Sequence, residues 1–299
     1  MTYRKQPKSP MERYTIRDFE RDFPSDEACL EWLREYLYPE GIYCKICQRV
    51  TKHHRIKSRP SYSCDHCGHH EHPTAGTIFH RSRTPLRLWF RAIFLMASTR
   101  CGISAKAIER DLGVTYKTAW RMFWAIRKLL GEDVTDLGGT VEVDETYIGG
   151  KPRFHSSNIP KAVREGKARK ITVQGMVERG GRVRAVVNPT SPLAGNVVEH
   201  VLPSAMVFTD EAAHYQRLSA SGYLHRRIPH SKRIYVFGDV HTNTIEGFWS
   251  LVKRGIGGTY HSVSEKHLQS YLDEYGFRYN HRMDVQPMFQ TFLRQIAKP

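Results

Sequence analysis

The chain has 299 residues, 40% of them hydrophobic, and a formal net charge of +16 from 46 Lys and Arg against 30 Asp and Glu. That length allows two or three domains with a sizeable core, and that charge favours a polyanionic partner, nucleic acid before any other. No run nears the roughly 18 apolar residues of a membrane span and residues 1–10 hold no apolar signal core, so the expectation is a cytoplasmic, nucleoid-associated protein with no membrane partner and reduced cysteines.

Residues 1–40 begin basic and read as disordered, then turn amphipathic. Ala28, Leu30, Trp32, Leu33, Tyr36 and Leu37 fall broadly on one side of a helix from Ser25 to Tyr38, with Ser25 and Asp26 at its cap and Pro39 as its stop. Residues 41–73 hold four of the six cysteines, as Cys44-Lys45-Ile46-Cys47 and Cys64-Asp65-His66-Cys67, with 16 residues between the pairs. Two knuckles at that separation predict a zinc ribbon, in which four thiolates complete a tetrahedron around one structural Zn²⁺ and leave no position open for catalysis. Gly68 suits the turn around the ion, and the basic stretch 52–59 reads as a hairpin tip. His53, His54, His66, His69, His70 and His72 are either substitute ligands or exposed side chains near phosphate. Cys29 and Cys101 are expected to stay unpaired.

Residues 74–136 predict three helices. Thr84 and Pro85 read as a cap and a first-turn proline for a helix to Arg100. Ser104 caps a short helix with Ile108 and Leu112, Gly113 turns the chain, and Thr115 caps a longer helix through Leu130. This is either a helix-turn-helix, with Tyr116, Lys117 and Arg121 facing a DNA groove, or an ordinary helical hairpin. The preceding ribbon and the charge favour DNA.

From residue 137 the pattern becomes α/β. Val141-Glu142-Val143-Asp144-Glu145 alternates valine with acid, the period of a strand, which puts Asp144 and Glu145 on opposite faces. Lys151 and Arg153 open a basic loop to Lys170 that suits phosphates. Residues 171–178 and 182–187 are strands of a hairpin turning at Arg179-Gly180-Gly181, and 193–201 is a helix. Asp210 ends a further strand, residues 212–220 form a helix, and Asn243, Glu246 and Lys253 share one side of a helix from Asn243 to Lys253. Gly255-Ile256-Gly257-Gly258 is expected to break that helix. Two more helices, 264–279 and 287–296, cover the core, with Arg278, Asn280, His281 and Arg282 as a basic corner. Acids from two strands and a helix together suit an oxygen-ligand site for Mg²⁺ or Mn²⁺.

The order of ribbon, helix-turn-helix, VEVDETYIGGK, FTDEAAHY and HTNTIEGFWSLVKRGIGGTYH resembles the ISXO2-like family of bacterial insertion-sequence transposases over about residues 41–283. The resemblance implies a DDE-type, RNase-H-like domain over 137–299, built on a mixed five-stranded sheet with helices. It implies that Asp144 and Asp210 are the first two catalytic acids and that Lys253 contacts DNA near the cleaved phosphate. The third catalytic position is Glu246 or Asn243, one turn earlier. The implied activity is cleavage at the element's ends and joining of the freed 3′-OH to target DNA, with two catalytic divalent ions held by Asp144, Asp210 and Glu246. The partners implied are double-stranded DNA and further copies of the chain. The residues without the resemblance reach only a basic, zinc-containing, DNA-directed protein with an acid cluster, so a DNA-binding regulator and a nuclease without strand joining stand as alternatives.

Overall fold

The structure, a computed structural model, describes residues 10–131, 136–149, 170–187, 193–210, 215–227 and 241–296. Its chain divides into two compact units, Met1–Leu129 with Met283–Pro299, and Leu130–Arg282.

The first unit opens with a helix that periodicity does not reveal. In α1 (Ile16–Asp22), Thr15 Oγ1 accepts from the Asp18 amide while Asp18 Oδ2 accepts from the Thr15 amide at 2.8 Å, a reciprocal cap. Seven residues are too few to display a helical period, yet Phe19 is fully buried. α2 (Asp26–Leu37) starts as expected, with the Ala28 amide donating to Ser25 Oγ. Two small sheets follow, β1 (Tyr43–Cys44) with β2 (Arg49–Val50), and β3 (His53–Ile56), β4 (Ser61–Cys64) and β5 (His70–Glu71) in that order. α3 (Leu86–Ser98) departs from the expected cap. Pro85 lies outside the helix with extended backbone, and Asp26 of α2 accepts from the Arg87 amide at 2.7 Å in place of Thr84. α4 (Ala105–Leu112) is capped by Ser104, and Gly113 in the left-handed region (φ +62°) turns the chain into α5 (Tyr116–Leu130).

Aromatic rings fill this unit's core. Phe19 lies against Phe23, Phe94 and Phe289 with centroids 5.3–5.8 Å apart, and Phe289 comes from the C-terminal helix Met288–Gln295. The expected 137–299 domain therefore loses its last segment, which packs in the first unit. Phe289, Phe292 and Leu293 announce an apolar face, but periodicity says nothing about which core it covers.

The second unit is a five-stranded sheet of order β8-β7-β6-β9-β10, built from β6 (Thr140–Ile148), β7 (Ile171–Glu178), β8 (Val183–Val187), β9 (Met206–Thr209) and β10 (Leu224–Arg227). β6, β7 and β8 form the antiparallel meander, while β9 pairs parallel to β6 and β10 parallel to β9. This is the mixed sheet expected of an RNase-H-like domain. β10 went unread because a mostly exposed edge strand, Leu-His-Arg-Arg, has no apolar alternation. Of the expected helix 212–220, residues 217–220 are helical (α7) and 211–214 lie outside the described residues.

Helices cover both faces. Val141 and Val143 of β6 pack with α6 (Leu193–His200) and Leu218 of α7. The other face, with Ile148, Val173 and Val177, packs against α8 (Asn243–Gly255) and α9 (Glu265–Asn280). The glycines after Lys253 do not break α8: the chain continues through a π-helical turn, Ile256–Tyr260, and stops at His261. Gly255 serves close packing, since a Cβ there would lie 1.6 Å from the Tyr275 hydroxyl of α9. Within the expected basic corner of Arg278, Asn280, His281 and Arg282, several side chains serve the fold. Arg278 is buried against Glu274 at 2.6 Å, the Asn280 side chain bonds the Val183 backbone, and Arg282 donates to the Gly181 carbonyl.

Candidate metal centres and active site

The ribbon's four cysteines converge as their spacing requires. One Sγ from each of Cys44, Cys47, Cys64 and Cys67 lies within 4.8 Å of the others, and the Cys44–Cys67 and Cys47–Cys64 separations are 3.4 and 3.9 Å. A tetrahedron with Zn–S bonds of about 2.3 Å has edges of roughly 3.8 Å, so the donor set fits zinc. Two tight turns bring this about, with Gln48 (φ +53°) after the first knuckle and Gly68 (φ +73°) after the second. Among the described residues no histidine joins the cluster. His53 Nδ1 instead lies 2.8 Å from the Thr51 carbonyl, and His54 Nδ1 lies 2.6 Å from Asp65.

The second cluster depends on register. β6 pairs β9 as Thr140↔Met206 through Glu142↔Phe208, so continuing two residues sets Asp144 beside Asp210 on one face. One oxygen from each of Asp144, Glu145 and Asp210 lies within 4.8 Å of the others. Glu145 does leave β6 by the other face, opposite Gln174. It still joins the group because Asp210 comes off the end of β9, just beyond the paired residues. Leaving β6 by the opposite face therefore does not keep Glu145 away from Asp144 and Asp210. The sequence places the end of β9 within one residue, but it does not show which side chains gather around that end.

Burial, the nearby charge of Asp210 and that of Glu246 lift the Asp144 carboxyl to about 6. Burial, then Asp210 and Asp144, lift Glu145 to about 8. Acids this close and this raised are poised for a counter-cation, and an all-carboxylate donor set suits a hard divalent ion. Asp144 has a fixed orientation, because Trp249 Nε1 of α8 donates to its Oδ2 at 3.2 Å. Gly175, directly across from Asp144 on β7, makes room for that indole. A Cβ at Gly175 would come within 2.4 Å of the ring.

Glu142 went unread as a functional position. It is fully buried on the face of Asp144, two residues earlier. Its carboxylate accepts from Arg179 Nε (2.7 Å), the Thr244 amide and hydroxyl (each 2.8 Å) and the Ile245 amide (3.1 Å). These amides open α8, so Glu142 caps that helix from the strand and locks α8 to β6. The Val-Glu-Val-Asp alternation held the signal: a strand carboxylate on the core-facing side needs donors, and a helix N-terminus supplies them.

The other expected residues fall around these two centres. Glu246 and Asn243 are exposed on the first turn of α8. Glu246 accepts from the Thr242 hydroxyl at 3.3 Å and lies outside the three-carboxylate cluster. Lys253 is exposed two turns further on. Lys117 is exposed on α5. Arg121 beside it is tied to Ser82 Oγ and Thr84 Oγ1, at 3.3 and 3.1 Å. Lys151 and Arg153 lie outside the described residues. Among the described residues no helix is long and apolar enough to cross a membrane.

Residues 136–280 match the ISXO2-like transposase domain, and residues 24–70 match the transposase zinc-ribbon domain. A protein of the transposable element ISH50 in Halobacterium salinarum is 26% identical over 273 residues, which span 86% of this chain and 92% of that protein. A transposase-like protein of Haemophilus influenzae is 31% identical over 122 residues, 39% of this chain and 94% of its own length. Both matched domains stand in the order that the cysteine knuckles and the acid-bearing strands lay out, and the chain belongs to the ISXO2-like transposases of insertion sequences.

Proposed function

We propose that this chain binds the ends of its own insertion sequence, cleaves there and joins the freed 3′-OH to target DNA. The observation that carries the reading is the convergence of Asp144 and Asp210 from adjacent parallel strands, inside a domain of transposase type. Asp144, Asp210 and Glu246 hold the catalytic metal, Mg²⁺ or Mn²⁺, and Asn243 competes with Glu246 for the third place. Two divalent ions bound there supply activation of the attacking oxygen and stabilisation of the leaving oxygen.

The protein's own part is positioning. Trp249 holds the Asp144 carboxylate in one orientation, and Glu142 fixes the helix that carries Glu246. Lys253, seven residues beyond Glu246 and so on the same side of α8, meets the phosphate next to the cut. Lys117 and Arg121, with Lys151 and Arg153 of the basic stretch, bind the DNA backbone and grooves. Cutting both ends of one element calls for more than one active site, so copies of the chain assemble on DNA.

A strand-transfer assay on a plasmid carrying the element's terminal repeats tests this. Asp144→Asn and Asp210→Asn should each abolish cleavage and joining while sparing duplex binding. Glu246→Gln should do the same, and Asn243→Ala only slow the reaction. The reverse outcome for that last pair assigns the third position to Asn243. Cleavage with no joined product would favour the nuclease alternative. End binding with no cleavage at all would favour the regulator.

A further inference from the structure

Two cavities in the first unit share a wall. One, of about 720 Å³, lies along α5 and is lined by Lys117, Trp120, Arg121 and Trp124 together with Arg81, Arg83 and Thr84. The other, of about 820 Å³, runs from the ribbon's hairpin tip, with Lys57 and Arg59, to the same Arg81, Arg83 and Thr84. Residues 81–84 are thus the junction of a basic track that joins ribbon to helix. The acids on this track are already engaged. Asp26 accepts from the Arg87 amide at 2.7 Å and Glu27 from Arg55 at 3.0 Å. Lys57, Arg59, Arg81, Arg83 and Lys117 are all exposed.

The junction is built rather than slack. Ser82 Oγ accepts from the buried Trp89 indole N–H (2.9 Å), the Thr84 amide (3.2 Å) and Arg121 (3.3 Å), and the Ser82 amide donates to the Phe79 carbonyl (3.0 Å). Arg81 is held at φ +53°, in the left-handed region that non-glycine residues rarely adopt. Such backbone persists only where the surroundings over-determine it, and here it sets an arginine at the meeting point of the two cavities. Half-exposed Trp124 and Tyr116 add flat apolar surface along α5 beside the cations.

We propose that residues 81–84 form a preorganised phosphate clamp, which makes the ribbon tip and α5 one continuous track for the backbone of double-stranded DNA. This rests on the DNA-binding part of the transposase function proposed above. Such phosphate binding fixes register on the duplex and releases counterions without reading sequence.

The test is salt-dependent binding of the full-length, zinc-loaded chain to a labelled random-sequence duplex of roughly 40 base pairs, without added Mg²⁺, between about 50 and 200 mM salt. In Arg81→Ala/Arg83→Ala the slope of log affinity against log salt should shrink by about 1.8, near 0.9 for each phosphate no longer neutralised. Arg81→Gly should shrink it by about 0.9 with no fall in melting temperature, because glycine takes the left-handed backbone freely. Arg13→Ala/Arg17→Ala, exposed arginines that line neither cavity, should leave the slope unchanged. Wild-type slopes in the Arg81/Arg83 variants, or an equal drop in the Arg13/Arg17 variant, overturn the clamp and leave the transposase reading standing. No duplex binding by the wild-type chain overturns the DNA-binding reading itself, and the clamp with it.

Discussion

The two ligand clusters, four thiols in the ribbon and three carboxylates at the sheet, are assembled by opposite means. Each cysteine pair is i, i+3 in a single turn, so two short knuckles brought together by a hairpin complete the site. The carboxylates come from strands 66 residues apart in sequence (Asp144 to Asp210), and only the sheet register brings them near each other. The ribbon therefore has little to hold it without its metal, because its strands are two to four residues long. The carboxylate site sits on a sheet with apolar cores on both faces, and its scaffold does not need an ion to fold. Zinc in one place is structural stabilisation. The carboxylates in the other are a cost that the fold carries.

The sharpest break of that contrast is Cys64→Ser. Structural zinc is linked to roughly 10–16 kcal/mol of apparent folding free energy in small zinc domains, so losing one ligand should unfold residues 41–73. Wild-type protein should hold about one zinc per chain. The variant should hold none and show early proteolysis in the ribbon, with the melting of the second unit unmoved. A zinc-free wild type with a protected ribbon would count against the whole assignment.

Glu142→Ala should be the most damaging single change in the second unit. It strips the carboxylate from Arg179 and from the first amides of α8. The cost should be roughly 3 kcal/mol by urea unfolding, at the low end for breaking a buried pair because Arg179 is 21% exposed. Glu142→Gln, which keeps an acceptor for the amides, should fall between. A cost near zero would mean that α8 is held by packing alone.

Trp249→Phe keeps most of the packing and removes the hydrogen bond to Asp144. If orientation of Asp144 matters, activity should fall about 10–100-fold and half-maximal rate should need more Mg²⁺, with stability changed little. A variant with unchanged metal dependence would reduce Trp249 to a core residue.

The smallest expected effect comes from the carboxylates' own cost. The folded values of Asp144 and Glu145, about 6 and about 8, exceed their ordinary 3.8 and 4.5, so the folded state binds protons more tightly than the unfolded one. That stabilisation is fully present below the ordinary values and is lost as pH climbs through about 6 and about 8. Asp144→Asn should therefore melt a few degrees higher than wild type at pH 8 without metal, roughly 2–4 °C for each 1 kcal/mol in a unit of this size. Mg²⁺ should stabilise the wild type more at pH 8 than at pH 5, and the variant less at either. A variant that melts lower than wild type at pH 8 without metal would show that Asp144 adds to stability there.

Short-range chemistry made much of this protein legible from its residues. Knuckle spacing, valine-acid alternation, the serine caps and the Gly113 turn act within a few residues, so the ribbon, β6, α2 and the α4–α5 turn follow from local rules. Alternation also put Asp144 on one face and Glu145 on the other, which the register bears out. The tertiary structure alone decided that Glu145 reaches Asp144 and Asp210 at the end of β9 while Glu246 stays outside their cluster. It also decided that the neighbours of Glu142 are the amides of a helix about a hundred residues away, that Thr84 yields its capping role to Asp26, and that Phe289 joins the first unit's core. Periodicity fixes which side of an element is apolar. Which element covers it is decided by long-range pairing, whose energy is spread over interactions that no local stretch contains.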